Sequence, residues 1–286
     1  MNDVKIFHLA NLELPMERNR LLMLFVGINL MFTGIDVALA HSINQYIPVY
    51  EWIPIFYFPF GALSCIYLAF KGQPGKWSSI THILLMLLGV LVGIIGTAFH
   101  ANAVLNPAGY LTWSWVVFGS PILAPLAFSG ISLLGLYAIT NEVDNQPGKL
   151  EIKGIGIFKA PISRDRHFLW LVALGFAAST LTSIIDHAQY GYTFYKLIAI
   201  IFGLFASSVI ISLCVSKSWS KGDELVYFWT MITAIVVGTL GFGFHLSADL
   251  AGTGALSLER ILAFAPVLAP LLFSDLGLLG LLVVAH

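Results

Sequence analysis

Long apolar stretches separated by short polar segments account for most of this chain of 286 residues. A helix needs about 20 mostly apolar residues to cross the hydrocarbon core of a bilayer. Eight stretches meet that length, at residues 22–41, 52–71, 80–101, 112–140, 168–188, 195–215, 225–246 and 258–283. Because backbone polar groups cannot stay unpaired in lipid, each stretch is predicted to be helical, with proline kinks in the fourth and eighth. The chain is therefore predicted to be an all-α integral membrane protein with eight transmembrane helices.

The composition also favours a lipid bilayer as the surroundings of this chain. Charged residues make up 10% of it and hydrophobic residues 58%, whereas a typical soluble domain carries about 25% charged residues. A net charge of -1 provides no attraction to nucleic acid. We therefore expect the bilayer as a partner and no nucleic acid.

The distribution of Lys and Arg predicts the orientation of the helices. Of the 14 basic residues, 12 lie before the first stretch, at the end of the second or just after it, between residues 141 and 167, or between the sixth and seventh stretches. Lys196 and Arg260 lie on the other side. Short loops rich in Lys and Arg stay in the cytoplasm. The sequence thus predicts a multi-pass protein of the plasma (inner) membrane with both termini cytoplasmic.

An internal repeat divides the chain into two halves. Residues 121–136, PILAPLAFSGISLLGL, return as residues 266–281, PVLAPLLFSDLGLLGL, with 11 of 16 positions identical. Four predicted helices per copy give both copies the same orientation, which is a parallel repeat. We therefore expect two tandem four-helix bundles. The predicted parts are a cytoplasmic N-terminal segment (1–21), repeat 1 (22–140), a cytoplasmic linker (141–167) in which GKLEIKGIGIFKA is a candidate hairpin, and repeat 2 (168–286).

Four histidines stand at one predicted depth, at the outer ends of the first, third, fifth and seventh stretches: His41, His100, His187 and His245. The first two are 59 residues apart and the last two 58, so each repeat contains one pair. The first and third helices of a bundle run parallel. We therefore expect the two imidazoles of each repeat to converge near the outer surface.

Small residues lie beneath two of these histidines. Positions four and seven before a residue share its helix face. They are Gly96 and Gly93 below His100, and Gly241 and Gly238 below His245. A face without bulk accommodates a flat porphyrin, and it equally accommodates another helix at close range. The sequence leaves both uses open.

The histidine pairs predict a membrane-embedded redox protein that transfers electrons. In this hypothesis His41 and His100 hold one b-type heme and His187 and His245 hold another, each through two neutral imidazoles. The glycines below them then help to bind the cofactor. A quinone or a membrane redox protein is the expected electron partner, and other membrane subunits of a respiratory complex are expected neighbours.

Two alternatives remain at this stage. The same histidines, together with Asp36, Asp186 or Asp249, suit non-heme iron or copper in a membrane enzyme or an assembly factor. In the other alternative the chain is a transporter or a structural subunit without a cofactor, and the histidines are incidental. Whether the protein is an enzyme is left open.

Asp275 is the candidate catalytic residue. It replaces Gly130 of the first repeat and lies within the eighth stretch, where ionisable groups are costly. The carboxyl group is expected either to carry protons or face a quinone, or to act as a hydrogen-bonded packing residue. His82 and His167 begin stretches on the cytoplasmic side and are expected to be ordinary interfacial residues.

The plan of two tandem four-helix bundles with outward histidine pairs resembles that of heme A synthase. The resemblance is architectural. The histidine pairs of this chain fall on odd-numbered stretches, whereas that family uses even-numbered ones. It therefore implies no activity and transfers no residue role.

Overall fold

A computed structural model describes residues 14–43, 45–72, 74–105, 109–144, 146–251, 257, 261 and 266–285 of the chain. The N-terminal segment predicted at 1–21 therefore lies mostly outside the described residues. The described α-helices are α1 (Arg18–Ile43), α2 (Trp52–Lys71), α3 (Lys76–Leu105), α4 (Trp113–Phe118), α5 (Leu126–Ala138), α6 (Arg164–Ala188), α7 (Phe194–Val215), α8 (Lys221–Ala251) and α9 (Leu271–Val284). A single 3-10 turn, Val49–Glu51, precedes α2.

Six of the described helices are long and apolar enough to cross a membrane: α1, α2 with the turn before it, α3, α6, α7 and α8. Each exceeds the length of about 20 residues that a crossing requires. The apolar helices α5 and α9 are shorter, with 13 and 14 residues. The chain is therefore a helical, multi-pass membrane protein with six helices of membrane-spanning length in its described part.

The stretch predicted as one kinked helix over 112–140 is fully interrupted. Helix α4 ends at Phe118, a turn covers residues 122–125, and α5 begins at Leu126. Pro121 and Pro125 cause the break, because proline has no N–H to donate and its ring clashes with the preceding turn. Residues 267–270 form a similar turn before α9. Most of the eighth predicted stretch before that turn lies outside the described residues.

The helix contacts fall into two sets. In the first set α1 packs against α2 and α5, and α3 packs against α2 and α5. In the second set α6 packs against α7 and α9, and α8 packs against α7 and α9. The sets meet where α5 contacts α6 and where α9 contacts α1. These two contacts are equivalent, because each joins the first helix of one set to the last helix of the other.

The linker forms a small antiparallel sheet, so the chain is not entirely helical. Its strands are β1 (Asn141–Glu142), β2 (Lys149–Ile152) and β3 (Gly156–Lys159), in that order. The β2–β3 pair, with Leu150 opposite Phe158, confirms the hairpin predicted from GKLEIKGIGIFKA. Leu150 and Ile152 are buried, which holds the hairpin against the helices.

Candidate metal-binding histidine pairs

The structure brings the four predicted histidines together as two pairs. The ring centroids of His41 on α1 and His100 on α3 are 6.4 Å apart, with an angle of 51° between the ring planes. Those of His187 on α6 and His245 on α8 are 6.2 Å apart, with an angle of 66°. All four side chains are partly buried. Each helix set thus contains one pair, formed by its first and third long helices.

One ring nitrogen of His100 and of His245 is held by a proline carbonyl. The Nδ1 of His100 lies 2.9 Å from the carbonyl oxygen of Pro121. The Nδ1 of His245 lies 3.0 Å from that of Pro266. A carbonyl oxygen only accepts, so Nδ1 carries the proton. In the neutral ring Nε2 is then unprotonated and has a free lone pair. This is the arrangement typical of a histidine that binds a metal through Nε2.

The other two histidines differ from each other. The Nδ1 of His41 lies 3.2 Å from the carbonyl oxygen of Glu51, which assigns its proton in the same way. The Nδ1 of His187 is buried and has no hydrogen-bond partner among the described residues. Among the hydrogen bonds of the described residues, none uses the Nε2 of any of the four. Three rings are therefore oriented by backbone carbonyls, and all four keep Nε2 unbonded.

A tyrosine hydroxyl binds the C-terminal end of each helix that carries the first histidine of a pair, α1 and α6. The hydroxyl of Tyr46 donates to the carbonyl oxygen of Ala38. The hydroxyl of Tyr192 donates to that of Ile184 at 2.8 Å. Each tyrosine follows its histidine by five residues. An equivalent hydrogen bond therefore lies at the C-terminal end of α1, beside His41, and at the C-terminal end of α6, beside His187.

Aromatic contacts also recur next to the second histidine of each pair. Tyr50 stacks on Phe99 with ring centroids 4.2 Å apart. Tyr195 lies 6.1 Å from Phe244 in a tilted arrangement. Phe99 and Phe244 each directly precede a paired histidine. Beside each pair, an aromatic contact therefore joins the third long helix of the set to a neighbouring segment, which is the turn before α2 in the first set and α7 in the second.

The glycines below the histidines do not line an open groove. A Cβ atom on Gly93 would lie 2.2 Å from the Oγ of Ser129, and one on Gly238 would lie 2.4 Å from that of Ser274. Gly96 and Gly241 approach Pro125 and Pro270 in the same way, at 2.8 and 2.7 Å. Each face is thus filled by the proline turn and the helix after it. Of the two uses that the sequence left open, close helix packing is the one observed at these four glycines.

Unpartnered carboxylate oxygens lie near both pairs. Asp249 follows His245 by one helical turn and is 1% exposed, yet neither of its oxygens has a hydrogen-bond partner in the described part of the chain. The two copies of the internal repeat are offset by 145 residues, so the equivalent position in the first copy is Val104, which is equally buried. Near the other pair, the Oε2 of Glu51 is buried and unpartnered. The second pair therefore has a buried carboxylate where the first has an apolar side chain.

The other acidic candidates are less closely associated with the histidines. Asp36 is exposed on α1, and Asp186 is partly buried beside His187. Within the described part of the chain, no group of three or more His, Cys, Asp or Glu side chains is close enough to hold a metal ion. The four imidazoles therefore lie as two separate pairs and are not gathered into one group of four.

Asp275 lies away from both histidine pairs. Its Oδ1 accepts a hydrogen bond from the Nδ2 of Asn29 at 3.1 Å. Asn29 belongs to α1 and Asp275 to α9, so the contact crosses between the two helix sets. Of the two roles expected for Asp275, this hydrogen bond favours that of a hydrogen-bonded packing residue.

His82 is not the ordinary interfacial residue that the sequence led us to expect, because it makes specific contacts inside the protein. The side chain is fully buried. Its Nδ1 lies 2.9 Å from the Oγ of Ser64, and its Nε2 lies 3.1 Å from the carbonyl oxygen of Gly135. In the second set the hydroxyl of Tyr227, 145 residues later, donates to Gly280 at 2.8 Å. His82 and Tyr227 occupy equivalent positions, and each binds the carbonyl oxygen of an equivalent glycine, Gly135 or Gly280. Applying the repeat offset of 145 residues to His82 would have indicated this structural role from the sequence.

His167 also has specific contacts. Its Nδ1 lies 2.9 Å from the carbonyl oxygen of Ser163, one turn earlier in the chain. Its ring stacks on that of Tyr137 with centroids 4.4 Å apart. This contact joins α6 to the end of α5. His167 is therefore a packing residue between the two helix sets.

Comparison with known proteins identifies no relative. The chain matches no family model, no curated protein sequence and no solved structure.

Proposed function

We propose that this chain is a redox protein of the plasma (inner) membrane that binds one b-type heme in each of two parallel four-helix repeats. His41 and His100 would hold the heme in the first repeat, and His187 and His245 would hold the heme in the second. The protein has eight spans and both termini in the cytoplasm, so both hemes lie near the outer surface. Their role is electron transfer with a quinone or a membrane redox protein.

The spacing of the paired rings is the observation that carries this proposal. A metal–imidazole bond is about 2 Å long, so two rings on opposite sides of one ion have centroids about 6 Å apart. The observed separations are 6.4 and 6.2 Å. Three of the four rings have Nδ1 on a backbone carbonyl, which leaves Nε2 available to the metal.

The number of ligands favours heme over an ion held by the protein alone. Each described site offers two imidazoles and no third metal-binding side chain at coordination distance. Two protein ligands are sufficient for heme iron, because the porphyrin supplies the other four. Such six-coordinate iron suits electron transfer, and the protein contributes the orientation of the rings and the fixed tautomer.

Copper is the second candidate, and the packed glycines favour it. A porphyrin needs a flat slot beside the histidines, whereas the faces of Gly93 and Gly238 are filled by Ser129 and Ser274. A copper ion between two imidazoles needs no such slot, and imidazole is a suitable copper ligand. In this case the protein is a copper-dependent enzyme or an assembly factor.

An absorption spectrum of the purified protein combined with elemental analysis separates these candidates. Heme predicts reduced-minus-oxidised bands and about two irons per chain, and copper predicts a preparation without heme bands that contains copper. His41→Ala and His187→Ala should each remove half of the bound metal. His82→Ala is the matched control, because this buried histidine should leave the metal content unchanged. Protein without either metal would overturn both proposals and leave a transporter or structural subunit.

The proposed orientation has its own test. Reporter domains that are active only in the cytoplasm, fused after the linker and at the C-terminus, should be active at both positions. Activity at only one of them would contradict an even number of spans in the second repeat.

A further inference from the structure

Three apolar side chains at the tip and edge of the linker hairpin are exposed. Ile155 is 48% exposed, Ile157 54% and Phe158 44%. They follow a strand whose own apolar residues, Leu150 and Ile152, are buried. The hairpin is thus already anchored by one apolar face. The three exposed residues, named the hairpin patch below, are additional and have no protein cover within the described structure.

The tip of the hairpin lies on the first turn of α3. The Oγ of Ser79 donates a hydrogen bond to the carbonyl oxygen of Lys153 at 3.0 Å. A Cβ atom on Gly154 would lie 2.8 Å from the Cα of Lys76. With 30 residues, α3 is about 45 Å long, whereas the hydrocarbon core is about 30 Å thick. The first turn of α3, and the hairpin tip with it, therefore lie at the level of the lipid headgroups.

Lysines surround the hairpin patch. Lys153 and Lys159 flank it in the sequence, and the exposed Lys76 lies against its tip. Trp77, which is 77% exposed, follows Lys76 on α3. Tryptophan at such a position is typical of the membrane interface. The combination of apolar side chains, an interfacial tryptophan and lysines complements the acyl boundary and the phosphates of an anionic leaflet.

We propose that the hairpin patch rests in the headgroup layer of the cytoplasmic leaflet and binds anionic phospholipid. Ile155, Ile157 and Phe158 contact the acyl boundary, while Lys76, Lys153 and Lys159 contact the phosphates. The surface is at the opposite end of α3 from His100, so it does not depend on the proposed metal sites. The attraction between these lysines and the lipid phosphates thus fixes the linker, which connects the two repeats, to the membrane surface.

The test uses the full-length chain with a single environment-sensitive fluorophore on Ile157→Cys. The native Cys65 and Cys214 are buried and should react little with the fluorophore. Wild-type protein treated with the same reagent measures any labelling at these two positions. The protein is placed in nanodiscs of phosphatidylcholine alone and in nanodiscs with 30 mol% phosphatidylglycerol, chosen as about a third of the lipid to give a strong surface potential. The matched control is Asp144→Cys, an exposed position at the other end of the sheet.

In the anionic discs we expect a blue shift at position 157 and at least about a threefold protection from aqueous iodide relative to position 144. The combined change Lys76→Gln, Lys153→Gln and Lys159→Gln should abolish the difference between the two disc types. Equal quenching at positions 157 and 144 in both discs would overturn the proposal, and would leave the hairpin patch to a protein partner. Equal protection in both disc types would overturn the assignment to anionic lipid.

Discussion

Asn29 on α1 donates a hydrogen bond to Asp275 on α9, with 3.1 Å between Nδ2 and Oδ1. The corresponding positions in the other repeat, matched through the paired histidines and the proline segments, are Gly175 and Gly130. The polar pair therefore joins the two helix sets at only one of two equivalent places. It makes the two helix sets unlike each other at this contact.

Removal of Asn29 tests how much this pair contributes to stability. Asn29→Leu leaves the carboxyl oxygen of Asp275 without its donor, so the free energy of unfolding should fall by about 1–3 kcal/mol. Asp275→Asn keeps the pair and should cost less than about 1 kcal/mol. Reversible denaturation in detergent micelles measures both. The control is Asp36→Leu, an exposed position on the same helix. An Asn29→Leu variant as stable as the wild type would contradict the assigned role.

The glycines below the histidines should tolerate no side chain. Gly93→Ala and Gly238→Ala place a Cβ within 2.7 Å of backbone atoms of the following proline turn or of Ser129 and Ser274. Backbone cannot move aside without cost, so each variant should lose about 1–3 kcal/mol of stability.

Gly243 provides the control for this prediction. It lies on the same helix as Gly238, but a Cβ atom there would meet nothing within 4 Å. Gly243→Ala should therefore keep or raise the melting temperature, because alanine is the better helix former. If Gly238→Ala and Gly243→Ala melt at the same temperature, the close packing described for Gly238 does not limit stability.

A buried arginine at the start of α6 should stabilise the contact between the two helix sets. Arg164 is 4% exposed. Its Nη2 donates to the Oδ1 of Asn19 at 2.5 Å, and its Nε donates to the carbonyl oxygen of Tyr137 at 3.3 Å. Arg164→Gln should lower the free energy of unfolding by about 1.5–3 kcal/mol, because hydrogen bonds to a buried charged group are lost.

The neighbouring Arg166 is the matched control for Arg164. It is less buried and donates to the carbonyl oxygen of Ser216 at 3.0 Å. Arg166→Gln should therefore cost clearly less than Arg164→Gln in the same denaturation experiment. The reverse order would show that the contacts of Arg164 with α1 and α5 contribute little.

Asp249 should reduce stability in the absence of a cofactor. Its buried carboxylate has no hydrogen-bond partner among the residues that the structure describes, so Asp249→Val, which introduces the residue type of Val104, should raise the stability of metal-free protein by about 1–3 kcal/mol. The same change should alter the spectrum or the metal content of the second site and leave the first unaffected. Thermal unfolding of metal-free protein measures the first effect. A loss of stability would mean that Asp249 has a structural role.

Much of this molecule follows from one-dimensional properties of the chain. The apolar length of a stretch predicts a membrane-spanning helix, because an unpaired backbone is too costly in lipid. The segment GKLEIKGIGIFKA, a candidate hairpin in the sequence, forms the antiparallel β2–β3 pair, in which Leu150 and Ile152 are buried. The position of His41 and His100 at the outer ends of the first and third stretches predicted that their rings would converge, and the ring centroids lie 6.4 Å apart.

The tertiary structure decided what fills each face of a helix. The sequence shows that Gly93 and Gly238 lack side chains, but only the packing shows that Ser129 and Ser274 occupy that space. The proton position on His100 likewise depends on a carbonyl 21 residues away. Such contacts arise between residues distant in the chain, whose approach depends on how the helices pack and not on the composition of either one.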